Sequence, residues 1–98
     1  MQINAKRDNS VLTLELEGRL DNSSSPELKN VVENSLEGVH SLVLDFSKMD
    51  YISSAGLRTL LSLHKQMSER SGMKLTNVNE GVMEILQLTG FANILSIE

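Results

Sequence analysis

An α/β fold is what this sequence predicts, with a mixed central β-sheet made of an N-terminal hairpin and then alternating helices and strands, packed by about three helices. Three observations predict it. Val11 to Glu17 places Leu12, Leu14 and Leu16 on one side and Thr13, Glu15 and Glu17 on the other, behind the turn signal Asp8-Asn9, which is the pattern of a half-buried hairpin strand. Ser41-Leu42-Val43-Leu44-Asp45-Phe46 is a nearly continuous apolar run, as expected of a central strand covered on both faces. Three further stretches carry apolar side chains at helical spacing. At 98 residues the chain reads as a single domain spanning 1–98.

The elements follow in order. Residues 2–7 alternate weakly and pair, across Asp8-Asn9, with the strand from Val11 to Glu17. Gly18-Arg19-Leu20-Asp21 ends that strand. Three serines then precede Pro26, a residue favoured in a first helical turn, and Ser24 with Glu27 has capping-box spacing. Leu28, Val31, Val32, Ser35 and Leu36 form the buried stripe of a first helix that Gly38 closes. After the 41–46 strand, a second helix is expected from about Ser54 to Arg70, carrying Leu57, Leu60, Leu61 and His64. Met73 to Val78 reads as a strand. Asn79 caps a third helix carrying Val82, Ile85, Leu86 and Thr89, and Ile94 to Ile97 is a last short strand. Consecutive crossovers of this kind are right-handed.

Composition removes several function classes. The net charge is -4, and phosphate-backbone binding needs clustered Lys and Arg, so nucleic acid is not an expected partner. There is no cysteine, which excludes disulfides and thiolate metal sites and fits a reducing, cytoplasmic setting. The apolar runs are too short to span a bilayer and the N-terminus lacks a signal-peptide pattern, so direct membrane insertion is not expected. His40 and His64 have no metal-ligand spacing, and no Gly-rich phosphate loop occurs. No metal, cofactor or catalytic residue is therefore assigned, and the chain is not read as an enzyme.

The stretch that organises the rest is Met49-Asp50-Tyr51-Ile52-Ser53-Ser54-Ala55-Gly56-Leu57-Arg58, which leaves an apolar strand and enters a helix. Two hydroxyls stand where the helix begins, at an end whose unpaired N–H groups and partial positive charge accommodate an anion. By itself, serine before a helix is an ordinary N-cap, and Gly56 serves a tight turn.

Gly18-Arg19-Leu20-Asp21, and Leu44-Asp45-Phe46-Ser47 leading to Tyr51-Ile52-Ser53-Ser54-Ala55-Gly56-Leu57, together with the element order, resemble a STAS domain. More narrowly, they resemble the stand-alone bacterial anti-sigma-factor antagonists, or anti-anti-sigma factors, over essentially the full chain. That resemblance implies a cytoplasmic phosphoprotein of transcription regulation and stress response that works by partner switching. Unphosphorylated, it binds an anti-sigma factor that is also a serine protein kinase and so releases the sigma factor; a PP2C-type phosphatase, bound transiently, restores this form. Alignment on Gly56 and Leu57 places the phosphoacceptor at Ser54, with Ser53 as the alternative. Ser53 then replaces the family's Asp, Ala55 its second hydroxyl residue and Arg58 a glycine. The expected partner-binding surface is a flat, weakly charged patch of Asp21, Asn22, Ser53, Ser54, Gly56 and Arg58. The same resemblance also admits a STAS module of another partner-switching pathway, or a cytoplasmic STAS subunit of a lipid or anion transporter complex.

Overall fold

Asn9 adopts a left-handed backbone, φ 56°, and with Ser10 folds the first two strands into a hairpin. In the computed structural model, which describes residues 1–98, these are β1 (Gln2–Asp8) and β2 (Val11–Leu20). They are followed by α1 (Ser25–Glu33), β3 (Ser41–Ile52), α2 (Ser54–Met67), β4 (Gly72–Thr76), α3 (Glu80–Leu88), a 3-10 turn at Phe91–Asn93 and β5 (Ser96–Ile97). The sheet order is β1-β2-β3-β4-β5, antiparallel between β1 and β2 and parallel thereafter. This is the mixed sheet with three helices that the sequence predicts.

Right-handed crossovers that step the same way along a sheet put every helix on one face. Burial follows that rule. Leu12, Leu14 and Leu16 of β2, Leu42, Leu44 and Phe46 of β3, and Met73 and Leu75 of β4 are buried beneath Leu28 and Val32 of α1, Leu57, Leu60 and Leu63 of α2, and Val82 and Leu86 of α3. The alternate positions, Thr13, Val43, Asp45 and Lys74, reach solvent. The apolar run 41–46 is therefore covered on one face only, not two. Its unbroken character comes from Val43, a half-exposed residue flanked by Thr13 and Lys74 on the open face.

The paired strands also run further than expected. β2 continues to Leu20 and β3 to Ile52 through irregularities at Glu15/Glu17 and Gly18/Arg19, the second of them at a glycine with φ 110°. Extra residues at a bulge shift which side chains face inward, and Leu20, Met49 and Ile52 are buried as a result. Polar Ser47 and Lys48 disguise this continuation in the sequence. The helices are shorter than their stripes suggest. α1 stops at Glu33, α2 at Met67 rather than Arg70, and β4 at Thr76, where Asn77 turns left-handed at φ 55°. Beyond α2, Arg70 donates to the carbonyls of Leu36 and Val39 and so ties its loop to the one after α1.

Because one face is packed and the other wet, neighbouring β3 positions should respond differently. Leu44→Ala removes a fully buried side chain and is expected to cost about 2–5 kcal/mol, whereas Val43→Thr next to it costs under about 1 kcal/mol. Urea unfolding of the two variants checks this contrast.

Candidate functional site

The site begins with one backbone oxygen. The Leu20 carbonyl, at the end of β2, accepts the N–H of Ser53 at 2.9 Å, which holds the end of β3 and the start of α2 against it. Gly56, in the first turn of α2, packs over the same oxygen. A Cβ on Gly56 would lie 2.7 Å from the Leu20 oxygen and 2.9 Å from both Leu20 Cγ and Ile52 Cγ2. Its backbone is ordinary helix, so the glycine is required by this close approach and not by a turn. Gly56 is buried and acts beneath the surface it shapes.

With that contact in place, Ser53 has extended backbone angles (φ -88°, ψ 175°) and its Oγ accepts the Gly56 N–H at 3.3 Å, the geometry of an N-cap. Ser54 is the next residue and the first of the helix, and it is exposed. The two serines therefore differ: one hydroxyl is engaged in capping and half-buried, the other is free at the surface. α1 and α3 each carry an acidic residue in the first turn, Glu27 and Glu80, but α2 carries none.

The β2–α1 loop beside it is knitted by its own side chains. Asp21 Oδ1 accepts the N–H groups of Ser23 and Ser24 at 3.0 and 3.2 Å. Those two N–H groups, Ser24 foremost, hold the Asp21 carboxyl below its ordinary value, because they bond the charged form. Ser24 Oγ donates to the Arg19 carbonyl at 2.7 Å and accepts the Asp21 N–H at 2.9 Å. The expected capping box is thus absent: Ser24 makes no side-chain cap to its helix, since its hydroxyl is committed to the strand end behind it. Asn79, in contrast, caps α3 through the Val82 N–H at 2.9 Å and also donates to the Met49 carbonyl at 2.8 Å.

Two side chains join the site that sequence reasoning does not single out. Arg19 and Tyr51 are cross-strand partners, and the Arg19 guanidinium lies 4.5 Å from the centre of the Tyr51 ring and 4.0 Å from Asp21 Oδ2. Tyr51, the chain's single tyrosine, is 39% exposed. The register of Arg19 and Tyr51 is set by the two irregularities in the β2–β3 pairing, at Glu15/Glu17 and at Gly18/Arg19, of which the glycine is the one signal visible in the sequence.

Two shallow, open concavities mark the surface around the expected patch. An acidic hollow of about 450 Å³ contains Asp21, Glu27 and Asp50, with Arg19 on its rim. A separate cleft of about 380 Å³ lies between the first turns of α1 and α2 and is lined by Asn22, Ser25, Lys29, Ala55, Arg58 and Thr59. Asp21 and Asn22, adjacent in sequence, thus serve opposite sides. No group of three or more His, Asp or Glu side chains lies together as a metal site would require. The groups on offer here are hydroxyls, backbone amides and separated charges, which suit recognition of a surface.

The family model for the STAS domain matches residues 2–98. The chain belongs to the STAS domain family. Among curated relatives, it is 28% identical over 99 residues to BtrV of Bordetella bronchiseptica, named as a candidate anti-sigma factor antagonist, covering 99% of this chain and 85% of that one. Among solved structures, a candidate anti-sigma factor antagonist of Thermotoga maritima superposes with TM-score 0.88 at 24% identity, covering 97% of this chain and 84% of that one. The anti-sigma factor antagonist SpoIIAA of Bacillus matches in its unphosphorylated form at TM-score 0.77 and its phosphorylated form at 0.75, each at 14% identity and 99% of this chain, and 87% and 91% of the solved chains. These structural likenesses establish the STAS fold. No helix of this STAS chain is long and apolar enough to cross a membrane.

The contact between Gly56 and the Leu20 oxygen makes a signed prediction. Replacing glycine by alanine inside a helix ordinarily stabilises by about 0.5–1 kcal/mol. Gly56→Ala is expected to destabilise instead, by about 1–3 kcal/mol, because backbone and not a flexible side chain must move. Gly81→Ala in α3, where a Cβ would meet only Asn79 Oδ1 at 3.6 Å, is the control and should be neutral or stabilising. Denaturant melts of both variants decide it.

Proposed function

We propose that this STAS protein is a phosphorylation-switched anti-sigma-factor antagonist. In its unphosphorylated form it binds an anti-sigma factor that is also a serine kinase, and the sigma factor is released. The observation that carries this reading is the exposed hydroxyl of Ser54 at the first residue of α2, set on a strand–helix junction braced by the Leu20 carbonyl. The names of the curated relatives and a neighbour of the same fold solved with and without phosphate support it.

Ser54 is the acceptor in preference to Ser53. Phosphorylating Ser53 would turn the oxygen that accepts the Gly56 N–H into a bridging ester oxygen, a weaker acceptor, whereas the Ser54 hydroxyl has no such duty. The docking surface includes Asp21, Asn22, Ser53, Ser54 and Arg58, with Gly56 underneath holding its shape, and Arg19 and Tyr51 extend it. Tyr51 supplies exposed aromatic area held by a guanidinium, a type of residue that anchors interfaces well.

The switch is local. A phosphate adds about -1.5 to -2 charges at pH 7 to a position that a partner covers as a neutral hydroxyl. Within the domain the N–H groups of the helix start accommodate the charge. Across the interface, an unpaired dianion would cost several kcal/mol, which is orders of magnitude in affinity. The domain itself need not rearrange. A PP2C-type phosphatase resets the state, and the protein acts in the cytoplasm by binding and not by turnover. The curated relatives favour this reading over a transporter subunit.

The test uses the cognate anti-sigma factor and titration calorimetry. Ser54→Ala is expected to bind as tightly as the parent, while protein carrying phosphoserine at position 54 binds at least about a hundredfold more weakly. Equal affinities would sink the proposal.

A further inference from the structure

The geometry points to an internal counter-charge for a phosphate on Ser54: we propose that Arg58, with Lys29 across the cleft between α1 and α2, receives the phosphoryl group and holds it as a dianion. This rests on the assignment of Ser54 as the acceptor and adds what happens to the phosphate once it is there.

Ser54 and Arg58 lie one turn apart in α2. Side chains four residues apart share a helix face, with Cβ atoms about 5–6 Å apart. Helical side chains also lean toward the N-terminus, so Arg58 inclines back over the turn that Ser54 begins. That is the wrong end of a helix for a cation, because the N-terminus already carries partial positive charge. No acidic residue in the first turn relieves it. The ion pairs of the molecule use Lys6, Arg19 and Lys74, and neither Arg58 nor Lys29 makes an ion pair or side-chain hydrogen bond. Two cations therefore line one cleft with nothing to neutralise them.

A second observation marks the same cleft. Ser25, in its wall, is 5% exposed, and its Oγ is shielded from water without a hydrogen-bond partner. Such a hydroxyl is an unmet donor. The nearby carboxylates, Asp21 of the β2–α1 loop, Glu27 of α1 and Asp50 of β3, line the acidic hollow and not this cleft. Asp21 is moreover committed to the loop's N–H groups.

The cleft is shallow and open, so a free phosphate would be held weakly. A phosphoryl group on Ser54 is tethered within reach of Arg58, and its capture costs little translational freedom. Pairing favours the doubly charged form, which draws the second ionisation below its ordinary value of about 6. The phosphate then carries its full charge throughout the neutral range, and it occupies Arg58 and the cleft mouth, which a docking partner would otherwise meet.

The test installs genetically encoded phosphoserine at position 54 and follows the phosphate by phosphorus NMR against pH. The titration midpoint is expected below about 6 in the parent and about half a unit higher in Arg58→Gln. Lys65→Gln, which removes an exposed cation from the far end of the same helix, controls for net charge and should leave the midpoint unchanged. Thermal melts of the unphosphorylated variants check that all are folded. Identical midpoints in the parent and Arg58→Gln, or an equal rise in Lys65→Gln, would overturn the assignment. The readout needs no partner protein. A midpoint that moves with Arg58 while phosphoserine leaves partner affinity intact would sink the switch and keep the pairing; the converse would sink the pairing alone.

Discussion

The carbonyl oxygen of Leu20 is the point on which the α1/α2 end of this molecule depends. It accepts the Ser53 N–H, and Gly56 packs onto it too closely for any side chain. Those two contacts join the end of β2 to a distant stretch of the chain, the passage from the end of β3 into the first turn of α2. Ser53 acquires its capping geometry from this junction, and Ser54 acquires its exposure as the next residue along. The β2–α1 loop is pinned to the same place from the other side, since Asp21 and Ser24 bond it back to the strand end at Arg19. Both segments of this surface are tied by hydrogen bonds to the extended β2–β3 pair.

Much of this was legible in the sequence where one local rule decided the outcome. The alternation from Val11 to Glu17, the helical stripes, and the caps at Ser53 and Asn79 are short-range patterns, and the structure follows them. Failures came where distant residues decide. The two-sided burial expected of β3 missed that three crossovers stepping one way leave a sheet face open, a property of connection order and not of composition. The lengths of β2 and β3 were missed because bulges let a strand continue through polar Ser47 and Lys48. Ser24 matched a capping box by spacing, but a strand-end carbonyl competed for the same hydroxyl and won.

The site was legible in part for the same reason. Ser53, Ser54 and Gly56 announce themselves as a strand-to-helix passage. Arg19 and Tyr51 do not, because only the bulge register brings a guanidinium over that ring. Nor does sequence show that Asp21 and Asn22 face separate concavities, one acidic and one basic. That separation places Asp21, Glu27 and Asp50 in one concavity and Lys29 and Arg58 in the other. Membership of the STAS family and this local chemistry meet in a single residue, the exposed serine at the start of α2.

The most direct test of the account is the position of phosphate on the protein isolated from its own cells, mapped by mass spectrometry of its peptides. Phosphate on Ser54, with Ser53 unmodified, is the predicted result. Phosphate on neither serine in any growth condition would contradict the account and leave both hydroxyls as parts of a helix start.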